Sequence, residues 1–409
     1  MKVAGIIAEF NPFHNGHRYL VDRVRNELGA DCIAVVMSGN FVQRGEPALW
    51  DKWTRAACAV QNGVDLVLEL PVCFALNSGE SFARGGIAIL IGLGAVTHLA
   101  FGSESADLAA LERAAKSLAN ESAEFTGHLK DALATGMSYP AAYEQAARRH
   151  PELDDSSVEA LLGGPNDILA LEYMKQAYLQ EAEFAFFPVR RIGSGHDAPG
   201  GGTLASASSI RQRILDGQPF SEWSCAVPQA SAAVLKDSVR LDHAAADRYA
   251  TIVRYAVCTK SAADIEQLIS VSEGLENRIK AAAMKATSLE EFIASIKTKR
   301  YTHARISRIL AQLVLGLDRP LLERVVEEQA YYVRVLALNR RGAQLLRDVQ
   351  EGSARMPVYA NLKQAADAPE TVASSLAWDC AASDLYSILT GRSVYEGSDY
   401  VVTPRLIDR

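Results

Sequence analysis

Val3 to Ala8 is a short, almost wholly apolar run, and the residues that follow it leave few folds open. A run of this kind suits a strand buried on both faces of a parallel sheet. Glu9-Phe10-Asn11-Pro12-Phe13 comes next, and Pro12 ends the ladder because it lacks an N–H and fixes φ. His14-Asn15-Gly16-His17 then opens a segment with Leu20, Val21 and Val24 at helical spacing. Strand, tight turn and helix in that order aim backbone N–H groups and a positive dipole end at one point, which is the geometry of a phosphate site. Gly16 removes a side chain where a ligand must approach the backbone. Imidazoles at positions 14 and 17 share one face of the first turn and can donate to phosphate oxygens. Two histidines three apart can also simply pack. No nearby Cys, Asp or Glu cluster completes a zinc set, so no metal ligands are assigned.

Strand-like and helix-like patterns alternate after that point. Ile33 to Met37, Asp65 to Leu70, His98 to Phe101 and Phe184 to Val189 read as further strands. Asp51 to Gln61, Ser81 to Ile91 and Ile168 to Leu179 read as helices. Ala106 to Pro151 is mostly helical scaffold. The expected fold class is α/β: a Rossmann-like, doubly wound parallel sheet, followed by an all-α domain. Ligands of such sheets bind at the carboxyl ends of the strands, so His14, Ser38 and Gly102 should converge on one cleft. Asn166 precedes a helix and reads as a cap. Arg190-Arg191-Ile192 leaves the fifth strand, and a Gly-rich loop leads to a helix start at Leu204 to Arg211. Arg211 fits the dipole of that helix poorly unless an anion shares the site.

After about Trp223 the strand pattern stops, which divides the chain into residues 1–225 and a helical 226–409. The chain carries a net charge of −7, yet Arg278 to Arg308 holds eight Lys/Arg against Glu290 and Glu291. Lys297, Lys299, Arg300, Arg305 and Arg308 are its densest part, with Tyr301 and His303 interleaved. A charge run can be only a solvated face; in an acidic chain this one suits contact with a phosphate backbone. No apolar run reaches the roughly 18 residues of a membrane span, and no leader pattern precedes the first strand. Six cysteines lie without paired spacing, four of them in apolar contexts, which points to buried reduced thiols and a cytoplasmic location with no membrane partner. The polar stretch from Ser38 to Lys52 leaves the roles of Arg44, Asp51 and Lys52 open, and self-association as a homo-oligomer is equally undecided.

His14-Asn15-Gly16-His17 after an N-terminal strand resembles the H-x-G-H signature of the nucleotidyltransferase superfamily, which includes class I aminoacyl-tRNA synthetases and pantothenate synthetase. The longer run Glu9 to His17, the stretch Ser38 to Pro47, the run Asp65 to Pro71 and Thr298 to Thr302 resemble the bacterial tRNA(Met) cytidine acetate ligase family, and the likeness covers nearly the whole chain. Ser206 to Arg211 resembles the second signature of the superfamily, which closes over the triphosphate. The resemblance implies an enzyme that uses ATP, with Mg2+ on the triphosphate, to activate acetate as acetyl-adenylate. The acetyl group would then pass to N4 of the wobble cytidine of elongator tRNA(Met). It implies catalytic roles for His14, His17 and Arg211. It implies nucleotide contacts from Ile7, Ala8, Glu9, Phe10, Asn11, Pro12, Phe13, His14, Asn15, Gly16, His17 and Leu20, and from Gly102, Asn166, Arg190, Arg191, Ile192 and Ser208. The basic cluster in the helical half would hold tRNA. Two rivals stay open on the residues alone: a small-molecule adenylyltransferase of the same superfamily, and a nucleotide-sensing RNA-binding protein without turnover.

Overall fold

The structure is a computed structural model that describes residues 1–120, 123–137, 139–149, 158, 164–192, 204–272, 274–298 and 301–408. Its first strand, β1 (Val3–Ala8), pairs in parallel with β2 (Cys32–Ser38). The chain then makes a small hairpin, β3 (Phe41–Val42) and β4 (Glu46–Pro47), before β5 (Leu66–Leu70), β6 (His98–Ser103) and β7 (Ala185–Arg190). β1 divides its side chains between two cores. Val3 and Ile7 pack on one face with Ile87 and Leu90 of the Gly79–Leu93 helix, and Ala4 and Ile6 pack on the other with Val21 and Val24 of the Asn15–Asn26 helix. Helices on both faces explain why this strand reads as a continuous apolar run rather than an alternating one. β1 has β2 on one side and β6 on the other, so the direction of winding reverses there and a crevice opens at the strand ends.

The expected α/β sheet is present, and the chain after residue 226 is largely helical, with one correction. Three strands of that half rejoin the sheet: β8 (Val333–Leu338), β9 (Val358–Tyr359) and β10 (Arg405–Leu406). β8 runs antiparallel to β5, with Val67 opposite Ala337, and β9 and β10 pair in parallel with β8. Val333 to Leu338 lies in the half expected to be helical throughout. A six-residue apolar run cannot be told from a buried helix turn by periodicity; only its partner strand decides. The same core that holds Leu66 and Leu68 of β5 continues into Ile309 and Leu313 of the His303–Leu315 helix and Leu385 of the Glu370–Leu389 helix.

A buried polar knot ties the two halves together. Lys52 Nζ donates to both Glu69 oxygens, at 2.7 and 2.8 Å, and to Asp399 Oδ2 at 2.8 Å. Arg334 Nη2 donates to the Asp399 carbonyl at 3.2 Å, and Asn40 Nδ2 donates to Ser383 Oγ at 3.2 Å. Asp51 caps the Lys52–Gln61 helix by accepting Thr54 N–H at 2.7 Å and pairs with Arg392 at 3.1 Å. Asp51 and Lys52 are thus structural. Cys32, Cys58 and Cys73 are buried thiols, while Cys380 is half-buried and Cys225 and Cys258 are exposed, so three rather than four are core residues; none is paired. No helix among the described residues is long and apolar enough to cross a membrane.

Candidate active site

Arg55, fully buried, gathers the carbonyls at the carboxyl ends of β1 and β2. It donates to the carbonyl oxygens of Trp50, Glu9, Ser38 and Gly39. With Glu9 fixed, the chain turns at Phe10, whose φ of 48° is left-handed for a residue with a Cβ. That conformation costs about 1–3 kcal/mol and persists because its surroundings over-determine it. Asn11 Oδ1 accepts Leu49 N–H at 2.9 Å, and the Asn11 carbonyl accepts Arg211 Nη1 at 2.8 Å.

The turn delivers His14 as the cap of the Asn15–Asn26 helix. His14 Nδ1 accepts Gly16 N–H at 3.0 Å and His17 N–H at 3.3 Å, and His17 Nδ1 accepts His14 N–H at 3.2 Å. The two rings stack with centroids 3.7 Å apart, and Phe10 sits edge-on to His17 at 4.8 Å. A Cβ at Gly16 would press on the His14 ring, so glycine is required there for this stack. Because each Nδ1 accepts, each ring carries its proton on Nε2 and is a neutral donor. Burial, and then the nearby Arg191 charge, lowers His14 to about 4. Burial, then His14 and Arg191, holds His17 well below its ordinary value.

Arg191 leaves the end of β7 and donates through Nη1 to Asn166 Oδ1 at 3.2 Å, with Nε 4.0 Å from Glu104. Asn166 does not cap its helix. The cap is Gly164, Pro165 takes the first helical position, and the Asn166 side chain donates to Glu104. Glu104 Oε2 accepts Asp167 N–H at 2.9 Å, while Asp167 accepts Glu104 N–H at 3.0 Å and Ser105 N–H at 2.9 Å. This reciprocal clasp fixes Asn166 and Arg191 over Gly102, where an added Cβ would sit only 3.5 Å from Arg191. Arg211 rises from the Ala207–Leu215 helix, capped by Ser206, and pairs with Glu46 at 3.3 Å.

These groups line one cleft of about 1370 Å3. Ile7, Ala8, Glu9, Phe10, Asn11, His14, Gly16, His17, Leu20, Gly102, Asn166, Arg190, Arg191, Ile192, Ser208 and Arg211 all stand on its wall. Pro12, Phe13 and Asn15 shape the turn instead: Phe13 is in the core, and Asn15 Nδ2 donates to the Cys225 carbonyl at 2.9 Å. Ser38, expected at the cleft, is buried at the end of β2 with its carbonyl on Arg55. Lys297 is exposed, and Lys299, Arg300 and the loop 193–203 lie outside the described residues. Arg305 and Arg308 stand on the wall of the same cleft rather than on a separate surface. Arg305 Nη2 donates to Ser270 O and Ser272 Oγ, each at 3.0 Å, and Arg308 Nη1 donates to Gln43 O at 3.1 Å. Burial and then Arg305 lower Arg308 to about 10.

Sequence reasoning missed Glu104, Asp167 and Gln43. Glu104 follows a strand end and Asp167 a helix start, a signal that only their meeting in space makes readable. Gln43 N–H donates to Glu9 Oε1 at 2.8 Å; burial pushes the Glu9 carboxyl up, and that N–H and Arg211 oppose the shift.

A doubly wound sheet, an H-x-G-H turn at the carboxyl end of its first strand and arginines over the same crevice define a nucleotidyltransferase of the HIGH class. A family model described as HIGH Nucleotidyl Transferase matches residues 1–399. Within that class the chain belongs to the tRNA(Met) cytidine acetate ligase family. It is 36% identical to the tRNA(Met) cytidine acetate ligase of Clostridium kluyveri and 35% identical to that of Syntrophomonas wolfei, covering 100% and 99% of each chain respectively. It is similar in structure to Thermotoga maritima TmcAL bound with alpha-thio ATP, with a TM-score of 0.91 at 29% identity over 100% of both chains. The apo form of that protein gives a TM-score of 0.92 at 30% identity, again over 100% of both.

Proposed function

We propose that this chain activates acetate with ATP and transfers the acetyl group to N4 of the wobble cytidine of elongator tRNA(Met). The observation that carries this reading is the continuity of the cleft: the H-x-G-H turn and the two arginines of the basic cluster share one wall. In the first step a carboxylate oxygen of acetate attacks the α-phosphorus and pyrophosphate leaves. The protein needs no nucleophile of its own; it aligns the reactants and stabilises charge on the phosphates. His14 and His17 donate from Nε2 to the α- and β-phosphates, and being neutral they do so without a change of protonation. Arg191 faces the polyphosphate from the Asn166–Glu104 clasp, and Arg211 reaches it from the second signature once it leaves Glu46. The groups assigned to the phosphates, His14, His17, Arg191 and Arg211, are imidazole and guanidinium donors, which suit phosphate oxygen rather than a cation. Magnesium is therefore carried in on the triphosphate as part of the substrate, where it offsets phosphate charge.

In the second step the cytosine amine attacks the acetyl carbonyl. The new C–N4 bond forms, the C–O bond to AMP breaks, and one N4 proton is released. With tRNA as acceptor, the cytoplasm is where the enzyme works.

The test is pyrophosphate release from ATP with acetate, formate, propionate or no acid, together with labelled acetyl on unmodified tRNA(Met). Acetate-dependent release with label on the tRNA is the expected result. Release that ignores every carboxylic acid indicates an adenylyltransferase, and ATP binding without turnover indicates a sensor.

A further inference from the structure

The cleft is larger than one nucleotide requires. Pockets for a single small ligand usually span about 300–1,000 Å3, and this one encloses about 1370 Å3. Arg191 and Asn166 occupy the side of β6 and β7. Across Glu9 the same cleft is lined by Gln43, Gly79, Leu169 and Arg308, from elements far apart in sequence, and we call this part its second lobe. Its parts converge by distance. A Cβ built on Gly79 would lie 3.8 Å from Leu169 Cδ2 and 4.0 Å from Gln43 Nε2, so the Gln43 amide reaches over Gly79. Gln43 is bonded to Glu9 through its N–H, at 2.8 Å, and to Arg308 through its carbonyl, at 3.1 Å.

We propose that this second lobe is a subsite for one extruded cytosine nucleotide, read at its amino edge by Glu9 and Gln43 and held at its backbone phosphate by Arg308. The inference rests on the functional reading above and adds the place and the recognition of the acceptor. Cytosine presents an N4 amine that donates and an N3 that accepts. A carboxylate is the usual acceptor for N4, and the neighbouring amide can donate to N3. Uracil would turn its O4 lone pairs toward the carboxylate and be refused. Glu9 immediately precedes the phosphate-binding turn, so a base gripped there has its amine beside the activated carboxyl group. Arg308 Nη1 lies 3.1 Å from the Gln43 carbonyl, and its guanidinium matches a phosphate. Only a base swung out of its loop presents its whole amino edge to a protein side chain.

Gly79→Leu tests this directly. Gly79 is the first residue of its helix, and its added Cβ meets nothing closer than ordinary van der Waals contact, so the leucine fills the lobe rather than distorting the backbone. The full-length variant is assayed for acetate-dependent pyrophosphate release with hydroxylamine as the acetyl trap, and for acetyl transfer to tRNA. The expected result is a fall of about 50-fold or more in transfer with pyrophosphate release held within about threefold. Arg308→Gln should raise KM for tRNA about tenfold with kcat nearly unchanged, and a transcript with uridine at the wobble position should compete about tenfold less well than the cytidine form. Normal transfer by a folded Gly79→Leu, or equal loss of both activities, overturns the subsite. An unchanged KM for tRNA in Arg308→Gln overturns it as well, whether or not the first variant folds. Wild-type enzyme that releases no pyrophosphate with acetate instead refutes the functional reading beneath it.

Discussion

His14 and His17 each accept a backbone N–H at Nδ1, and their neighbours include the Arg191 charge, so neither imidazole gains by taking a second proton. Two consequences follow. The pH profile of pyrophosphate release should show no step near 6.5 from this pair. Stability should show one: as pH falls below about 6.5 the unfolded chain protonates His14, while the folded chain, with His14 at about 4, does not. Stability conferred by the neutral ring is therefore present above 6.5 and lost between 6.5 and 4. Wild-type protein should lose about 2 kcal/mol between pH 7 and pH 5 that His14→Gln retains, read from urea midpoints. His14→Ala should lower the rate of pyrophosphate release by about 10²–10³, the usual cost of one well-placed transition-state donor. Asn166→Ala acts through Arg191, which it leaves without its 3.2 Å anchor. It should raise KM for ATP about tenfold in steady-state assays while kcat changes little.

Elements meet at two places where the cost of change differs sharply. In the buried knot, Lys52 and Arg334 face three carboxylates, Glu69, Asp379 and Asp399, and burial followed by the Glu69 charge pushes the Asp379 carboxyl up to about 8. Asp379→Asn removes a charge the site already resists, and should cost less than about 1 kcal/mol. Lys52→Met strands Glu69 without its hydrogen-bonded cation and leaves Asp399 only Arg334 at 3.9 Å, and should cost about 3–5 kcal/mol by chemical denaturation. The second place is the hairpin of β3 and β4, which meets the His303–Leu315 helix at Gly45. Gly45 has φ of 84°, and a Cβ there would collide with the Arg308 backbone nitrogen. Gly45→Ala should destabilise by roughly 2–4 kcal/mol and displace Arg308 from Gln43, visible as a raised KM for tRNA at permissive temperature.

Taken whole, the molecule does not separate at the change of pattern near residue 225. β8 completes the sheet beside β5, Asp399 completes the Lys52 site, and one hydrophobic core runs through both halves. A fragment ending at residue 228 would leave β5 as a bare apolar edge and Lys52 with Glu69 alone of its three carboxylates. Expressed alone, it should be aggregated or molten, with no cooperative thermal transition by circular dichroism. The architecture also explains why the nucleotide site and the basic residues share one cleft: the helix that carries Arg305 and Arg308 is held against the hairpin at the end of β2.

What the sequence determined by itself was local. Strand β1, its proline-bearing turn and the histidines were legible because each depends on neighbours within a few residues: an apolar run, a missing N–H, a pair one helical turn apart. Arg211 stood out for the same reason, as a cation set against the dipole of its own helix, whereas Arg191 was named only through the family resemblance. Tertiary structure alone decided the rest. Glu104, Asp167 and Gln43 gain their roles from partners dozens of residues away, and no local pattern records a meeting of that kind. β8 needed β5 beside it to be a strand, because a short buried apolar run satisfies either backbone geometry until a partner supplies the hydrogen bonds. The lobe beyond Glu9 likewise exists only where three distant segments close on it.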